Sequence, residues 1–111
     1  MSEQRDIWIG PSVLSADFLR LGEQLQDLEA GGADYIHFDV MDGRFVPNIS
    51  IGIPVLEATA RGTSLPVDVH LMIVEPDRWV EEFADHGADR ITFHAEATPH
   101  MHRVVQTIEA K

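Results

Sequence analysis

The chain has 111 residues, 44% of them hydrophobic and 24% charged, which is ordinary for one soluble globular domain with a modest core. Its formal net charge of -11 disfavours nucleic acid and anionic membrane as partners, because both are themselves negative. Without cysteine, disulfides and thiolate metal sites are excluded, and no apolar run reaches the roughly 20 residues that cross a bilayer.

The first six residues are polar and lack the apolar centre of a secretory signal. Together with the missing cysteines, this predicts a cytoplasmic protein.

A strand and a helix are expected first. Residues 7–14 are typical of a strand that bends at Gly10-Pro11. Ser15 is a suitable N-cap for the helix that follows. The apolar residues of that helix recur at helical spacing, as Phe18, Leu21, Leu25 and Leu28.

The second predicted strand covers residues 35–41 and alternates apolar with polar side chains. Successive strand residues point to opposite faces, so the polar set shares one side of the strand. That set is His37, Asp39 and Met41. A loop over residues 42–50 and a short helix over residues 54–61 follow.

The third predicted strand, residues 66–73, repeats this alternation and places Asp68, His70 and Met72 on one face. A third helix opens at Pro76, and its expected buried stripe is Trp79, Val80, Phe83 and Ala84. A fourth strand over residues 90–95 leads to a fourth helix that starts at Thr98-Pro99. The apolar residues of that helix are Met101, Val104, Val105 and Ile108.

Four strands that alternate with four helices predict an α/β fold with a parallel sheet and right-handed crossovers. In an open doubly wound sheet the strands would be apolar on both faces. Here only one face is apolar, which favours a barrel with helices outside and an inward face that lines a site at the C-terminal end. A complete (β/α)₈ barrel needs about 250 residues. The sequence therefore predicts one (βα)₄ half-barrel domain over residues 1–111.

The strongest candidate site combines His37, Asp39 and His70. Neighbouring strands lie about 4.8 Å apart, so these side chains can meet at one ion. Two imidazoles and one carboxylate suit Zn²⁺, Fe²⁺, Mn²⁺ or Co²⁺. The alternative is that each histidine is a hydrogen-bonded interior residue, which the registered spacing disfavours. The same three residues could also be the metal-binding triad of an iron oxygenase, but that class of enzyme occurs on all-β folds.

Other polar and sulfur-containing residues carry weaker signals. Methionines at matched strand positions, Met41 and Met72, are usually core filler. Asp68 is equally consistent with orienting an imidazole and with a buried structural role. His94 and Glu96, at the end of the fourth strand, reach the same rim and either could be functional, although polar residues at loop edges are usually solvated. Three histidines on or beside helices are expected at the surface, namely His86, His100 and His102.

Three segments together resemble the ribulose-5-phosphate 3-epimerase family. They run from Pro11 to Phe18 (PSVLSADF), from His37 to Asn48 (HFDVMDGRFVPN) and from Asp68 to Met72 (DVHLM). The resemblance covers almost the whole chain in order. It implies a metal-dependent TIM barrel that interconverts ribulose 5-phosphate and xylulose 5-phosphate, so a sugar phosphate is the expected partner.

The resemblance also implies roles for individual residues. His37, Asp39 and His70 would be metal ligands, and Asp39 would also be the base that transfers the proton. Substrate contacts would come from Ser12, His70, Met41 and Met72. In the family a second acid, which is also a metal ligand, lies on the seventh strand and later loops bind phosphate. Neither falls within four βα units.

Two hypotheses follow. In the first, the chain is the N-terminal half of an epimerase, with weak or no activity alone. An open half-barrel exposes strand edges and an apolar interior, so a homodimer or higher oligomer that closes a barrel is expected. In the second, the chain is a non-catalytic, self-assembling module that binds metal.

Overall fold

The computed structural model describes residues 7–111, in which three parallel strands form one sheet and alternate with four α-helices. The strands lie in the order β1 (Ile36–Met41), β2 (Val67–Met72) and β3 (Arg90–Phe93). The helices are α1 (Leu21–Ala30), α2 (Ile53–Gly62), α3 (Val80–Asp85) and α4 (Met101–Glu109). This confirms the predicted α/β class, as part of a half-barrel. The polar segment over residues 1–6 lies outside the described part.

The first predicted strand is wrong in its extent. Between residues 7 and 14, only Ser12 bridges in parallel to His37, and the chain then enters a 3₁₀ turn over Val13–Ser15. The amide of His37 donates to the carbonyl of Pro11, at 2.9 Å. Pro11 has no N–H with which to continue a ladder. The segment therefore lies beside β1 without forming a regular strand.

The start of the first helix also differs from the prediction, because Ser15 does not cap it. Ser12 Oγ accepts from the amide of Leu14 at 3.3 Å and caps the Val13–Ser15 turn. Asp17 Oδ1 accepts from the amide of Leu19 at 3.0 Å and caps a second 3₁₀ turn. These side-chain acceptors favour local turns over helix, so α1 starts only at Leu21.

The apolar stripe predicted for the third helix is correct only in part. Val80 and Phe83 are buried, but Trp79 is 44% exposed because it precedes the first helical residue as N-cap. On α4, Val104 is buried while Met101 and Val105 are exposed. The spacing of apolar residues predicts which face of a helix is buried, but it does not show how much of that face neighbouring elements cover.

The apolar face of the sheet forms the core. Ile36, Phe38 and Val40 of β1 are at most 6% exposed, as are their counterparts Val67, Val69 and Leu71 in β2. Buried residues from all four helices, Leu25, Leu56, Val80, Phe83 and Val104, belong to the same cluster. In residues 7–111 no helix is long and apolar enough to cross a membrane.

Candidate metal centre

The opposite face of the sheet collects the polar side chains of β1 and β2. The parallel register pairs Asp39 with His70 and Met41 with Met72. His37 lies two residues before Asp39 on the same face of β1, and Ser12 is bridged to it from the side of β1 opposite β2. Backbone pairing therefore brings together Ser12, His37, Asp39 and His70, which come from three separate segments of the chain.

Two imidazoles converge on a single carboxylate oxygen. His37 Nε2 lies 2.9 Å from Asp39 Oδ1, and His70 Nδ1 lies 3.2 Å from the same atom. One donor atom from each of the three residues lies within 4.8 Å of the others. Their side chains are 16–28% exposed, so the group is partly shielded yet open to a ligand. This donor set fits a divalent transition metal ion.

The two oxygens of Asp39 have different surroundings. Oδ1 faces both imidazoles, whereas Oδ2 accepts a hydrogen bond from Ser12 Oγ at 3.2 Å. One carboxylate can therefore serve a metal ion through one oxygen and a second partner through the other.

Asp68 lies at the edge of this group. Its Oδ2 is 3.8 Å from His37 Nδ1, which is longer than a hydrogen bond. Its buried Oδ1 has no hydrogen-bond partner among residues 7–111. The structure thus places Asp68 beside the imidazole of His37, which is consistent with the first of the two roles that the sequence left open.

His94 is the site residue whose role the sequence left open. Its Nε2 lies 2.8 Å from His70 Nε2, and the two ring planes are inclined by 27° with centroids 5.0 Å apart. Of the two roles that the sequence left open for these residues, His94 therefore has the functional one, whereas Glu96 is exposed. The missing signal was strand register, because β3 pairs Thr92 with His70 and alternation returns residue 94 to the same face.

The loop after β1 is fastened back onto the strand that carries Asp39. Ser50 Oγ donates to the carbonyl of Asp39 at 2.8 Å and accepts from the amide of Met41 at 2.9 Å. Gly43, with φ of 76°, supplies the left-handed residue that this turn requires.

Asp42 ties this loop to the one that follows β2. Oδ1 accepts from the amides of Arg44 and Phe45, and Oδ2 accepts from the amide of Val74 at 2.8 Å. Burial opposes ionisation of Asp42, but these amides favour the carboxylate more strongly and lower the pKa of Asp42 below its ordinary value. Its charge therefore holds two site loops together.

A cavity of about 440 Å³ lies where β1 and β2 end, and residues of the loops that follow these strands help to line it. Met41 lines it, together with Trp79 and Phe83, but none of the three metal-donor residues does. Its charged lining residues also balance, since Asp42 and Glu75 accompany Arg44 and Arg78. The cavity therefore contains none of the three metal donors, although Met41 comes from the same face of the sheet as they do.

The remaining histidines lie away from the site. His86 Nδ1 lies 2.6 Å from the carbonyl oxygen of Glu82, which raises the pKa of His86. His100 and His102 are exposed at and beyond the start of α4.

The chain matches known proteins along nearly its whole length. Residues 8–111 match the ribulose-phosphate 3 epimerase family. The chain is 58% identical over 103 residues to the ribulose-phosphate 3-epimerase of Bacillus subtilis, which covers 93% of this chain and 48% of that protein. A Synechocystis ribulose-phosphate 3-epimerase is 54% identical over 103 residues, covering 91% of this chain and 45% of its own length.

The similarity extends to a plant protein. The chloroplastic ribulose-5-phosphate-3-epimerase of Arabidopsis thaliana is 53% identical over 107 residues, which is 95% of this chain and 38% of the plant protein. The chain thus spans about half the length, or less, of these curated relatives.

Proposed function

Because the chain belongs to the ribulose-phosphate 3-epimerase family, we propose that it carries the metal-binding and proton-abstracting half of an epimerase site. The reaction is the interconversion of D-ribulose 5-phosphate and D-xylulose 5-phosphate by proton transfer at C3. A cytoplasmic location and a single half-barrel domain stay predictions.

One observation carries the proposal: His37 Nε2 and His70 Nδ1 approach the same oxygen of Asp39. This arrangement suits the binding of one divalent ion, Zn²⁺, Fe²⁺, Mn²⁺ or Co²⁺, by the three side chains. A bound ion would supply positive charge for the oxygen anion that develops on the substrate as the proton leaves C3.

Asp39 is the proposed base. Its Oδ2 faces Ser12 and not the imidazoles, so this oxygen is the one available to accept the C3 proton. The electron pair of the broken C–H bond moves toward the carbonyl at C2, and a proton delivered to the other face of C3 completes epimerisation. In the family that proton comes from an acid on the seventh strand.

The proposed substrate contacts surround this base. Ser12 and His70 each lie within 3.2 Å of an Asp39 oxygen, so both are placed to bind substrate hydroxyl or carbonyl oxygens. Met41 and Met72 are paired two positions further along the strands, on the same face. They would give the reacting carbons an apolar wall.

The test combines a zinc titration with an epimerase assay of the 111-residue chain. We expect Zn²⁺ binding that is lost in His70→Ala and kept in His102→Ala, a matched change of an exposed histidine. Epimerisation should be slow or absent, far below that of the full-length Bacillus subtilis relative. Failure to bind Zn²⁺ would overturn the proposed metal centre, and turnover near that of the relative would overturn the assignment of half a site.

A second candidate, a non-catalytic module that assembles with itself, is favoured by the surface. Within residues 7–111, β3 has a single strand neighbour, β2. At the other side of the sheet Ile7, Trp8 and Ile9 are 60–72% exposed. An open strand edge and an exposed apolar segment are both surfaces to which a further chain can bind.

Light scattering tests this assembly. A dimer mass that persists on dilution, with Zn²⁺ bound and no turnover, would favour the module over the enzyme. A monomer would remove the argument for barrel closure between two copies.

A further inference from the structure

We propose that His94 is a positioning residue, which holds the imidazole of His70 in the orientation that presents Nδ1 to Asp39. The inference rests on the proposed metal centre and adds a residue to it. His94 does not itself belong to the donor group formed by His37, Asp39 and His70.

The two ring nitrogens of His70 have separate partners. Nδ1 lies 3.2 Å from Asp39 Oδ1, on the side of the donor group, and Nε2 lies 2.8 Å from His94 Nε2. If Nδ1 binds an ion, it has no hydrogen, so a neutral His70 carries its hydrogen on Nε2 and donates it to His94. Such an outer hydrogen bond is the usual way in which a ligating histidine is fixed.

His94 is itself well placed to act as a support. Its ring lies against Phe45, with ring centroids 5.0 Å apart, and against His70 on another side. Its backbone carbonyl accepts from the amide of Ala97 at 2.9 Å, which fixes the residue at the end of β3. Phe45 in turn donates its amide to Asp42 at 2.9 Å. The support therefore comes from a strand end and from the loop after β1.

Strand pairing alone does not fix the orientation of the His70 ring. The register of β1 and β2 fixes where the backbone of His70 lies, but it leaves rotation of the ring about its side-chain bonds free. A polar contact at Nε2 determines which ring nitrogen faces Asp39. His94 supplies that contact.

The experiment compares Zn²⁺ affinity, by calorimetry without substrate, among substitutions of one position. His94→Phe keeps an aromatic ring beside Phe45 but removes the nitrogen that meets His70. We expect it to weaken Zn²⁺ binding by about 10- to 100-fold. His94→Gln returns a polar group near the position of Nε2 and should recover most of that loss. His102→Phe, at an exposed position, should leave affinity unchanged.

The outcomes separate this inference from the proposed function. If the unsubstituted chain binds no Zn²⁺, both are overturned. If it binds Zn²⁺ and His94→Phe binds equally well, the positioning role alone is wrong. If His94→Gln fails to recover affinity while its circular dichroism matches the parent, the polar contact is not the cause and the inference fails.

A second measurement needs no substitution and so does not depend on a variant that folds. Nitrogen-15 NMR of the histidine rings distinguishes a protonated from an unprotonated ring nitrogen. With Zn²⁺ bound, we expect neutral His94 to carry its hydrogen on Nδ1 and His70 to carry its hydrogen on Nε2. A hydrogen on His94 Nε2 in the Zn²⁺-loaded chain would overturn the inference.

Discussion

The two faces of the sheet are built from alternate residues of the same strands, yet they have different physical properties. On the helix side, the β1 and β2 side chains are at most 6% exposed and entirely apolar. On the other side, His37, Asp39, Asp68 and His70 are 15–28% exposed. Hydrogen bonds join Asp39 to both histidines. Adjacent positions in the sequence therefore serve folding on one face and ligand binding on the other.

Adjacent residues on the two faces test this division most strongly. Phe38 is fully buried, so Phe38→Ala should lower the free energy of unfolding by about 3–5 kcal/mol, because it leaves a cavity in the core. Asp39→Asn, one residue further on, should change it by less than about 1 kcal/mol, since asparagine fills the same space and can still hydrogen-bond its neighbours. Urea unfolding followed by circular dichroism measures both.

In a zinc titration Asp39→Asn, and not Phe38→Ala, should have the larger effect. Asp39→Asn removes the shared carboxylate and should abolish measurable binding, while any Phe38→Ala chain that remains folded should still bind. Equal losses of stability for the two variants would show that the faces are not energetically separate.

Asp42 sharpens the comparison, because it is polar and yet structural. Asp42→Asn should lower the free energy of unfolding at pH 7 by about 1–3 kcal/mol, since charged hydrogen bonds to loop amides weaken or are lost. The pKa of Asp42 is lowered in the folded chain, so its contribution is present above the ordinary value of 3.8 and disappears as pH falls through the lowered pKa.

The measurement is urea unfolding of parent and Asp42→Asn between pH 7 and pH 3. The stability difference should shrink toward the acid end. A difference that stays constant across this range would mean that the carboxylate charge does not hold the two loops.

Much of this division could be predicted from the sequence, because it depends on alternation and register. Period-two alternation placed β1 and β2 within one residue of their ends and put His37, Asp39 and His70 on one face. Those features depend on backbone geometry that every strand shares, so one sequence is sufficient to predict them.

Other features could not be predicted, because they depend on what packs nearby in three dimensions. Whether residues 7–14 form a regular strand depends on how many amides find partners along β1, and the structure shows only a bridge at Ser12. Exposure of Trp79 depends on where α3 begins. The contact between His94 and His70 needs the pairing of β2 with β3, which spacing along the chain does not give.

The direct pairing of Asp39 with His70 has a consequence for how the site assembles during folding. The two residues are 31 positions apart, and only β1, α2 and β2 are needed to bring them together. The loop between the two strands is short, so closing it costs little conformational entropy. Local contacts of this kind can form early in folding. The three donors thus arise within a single βαβ unit, as soon as its two strands find their register and before the rest of a barrel must close.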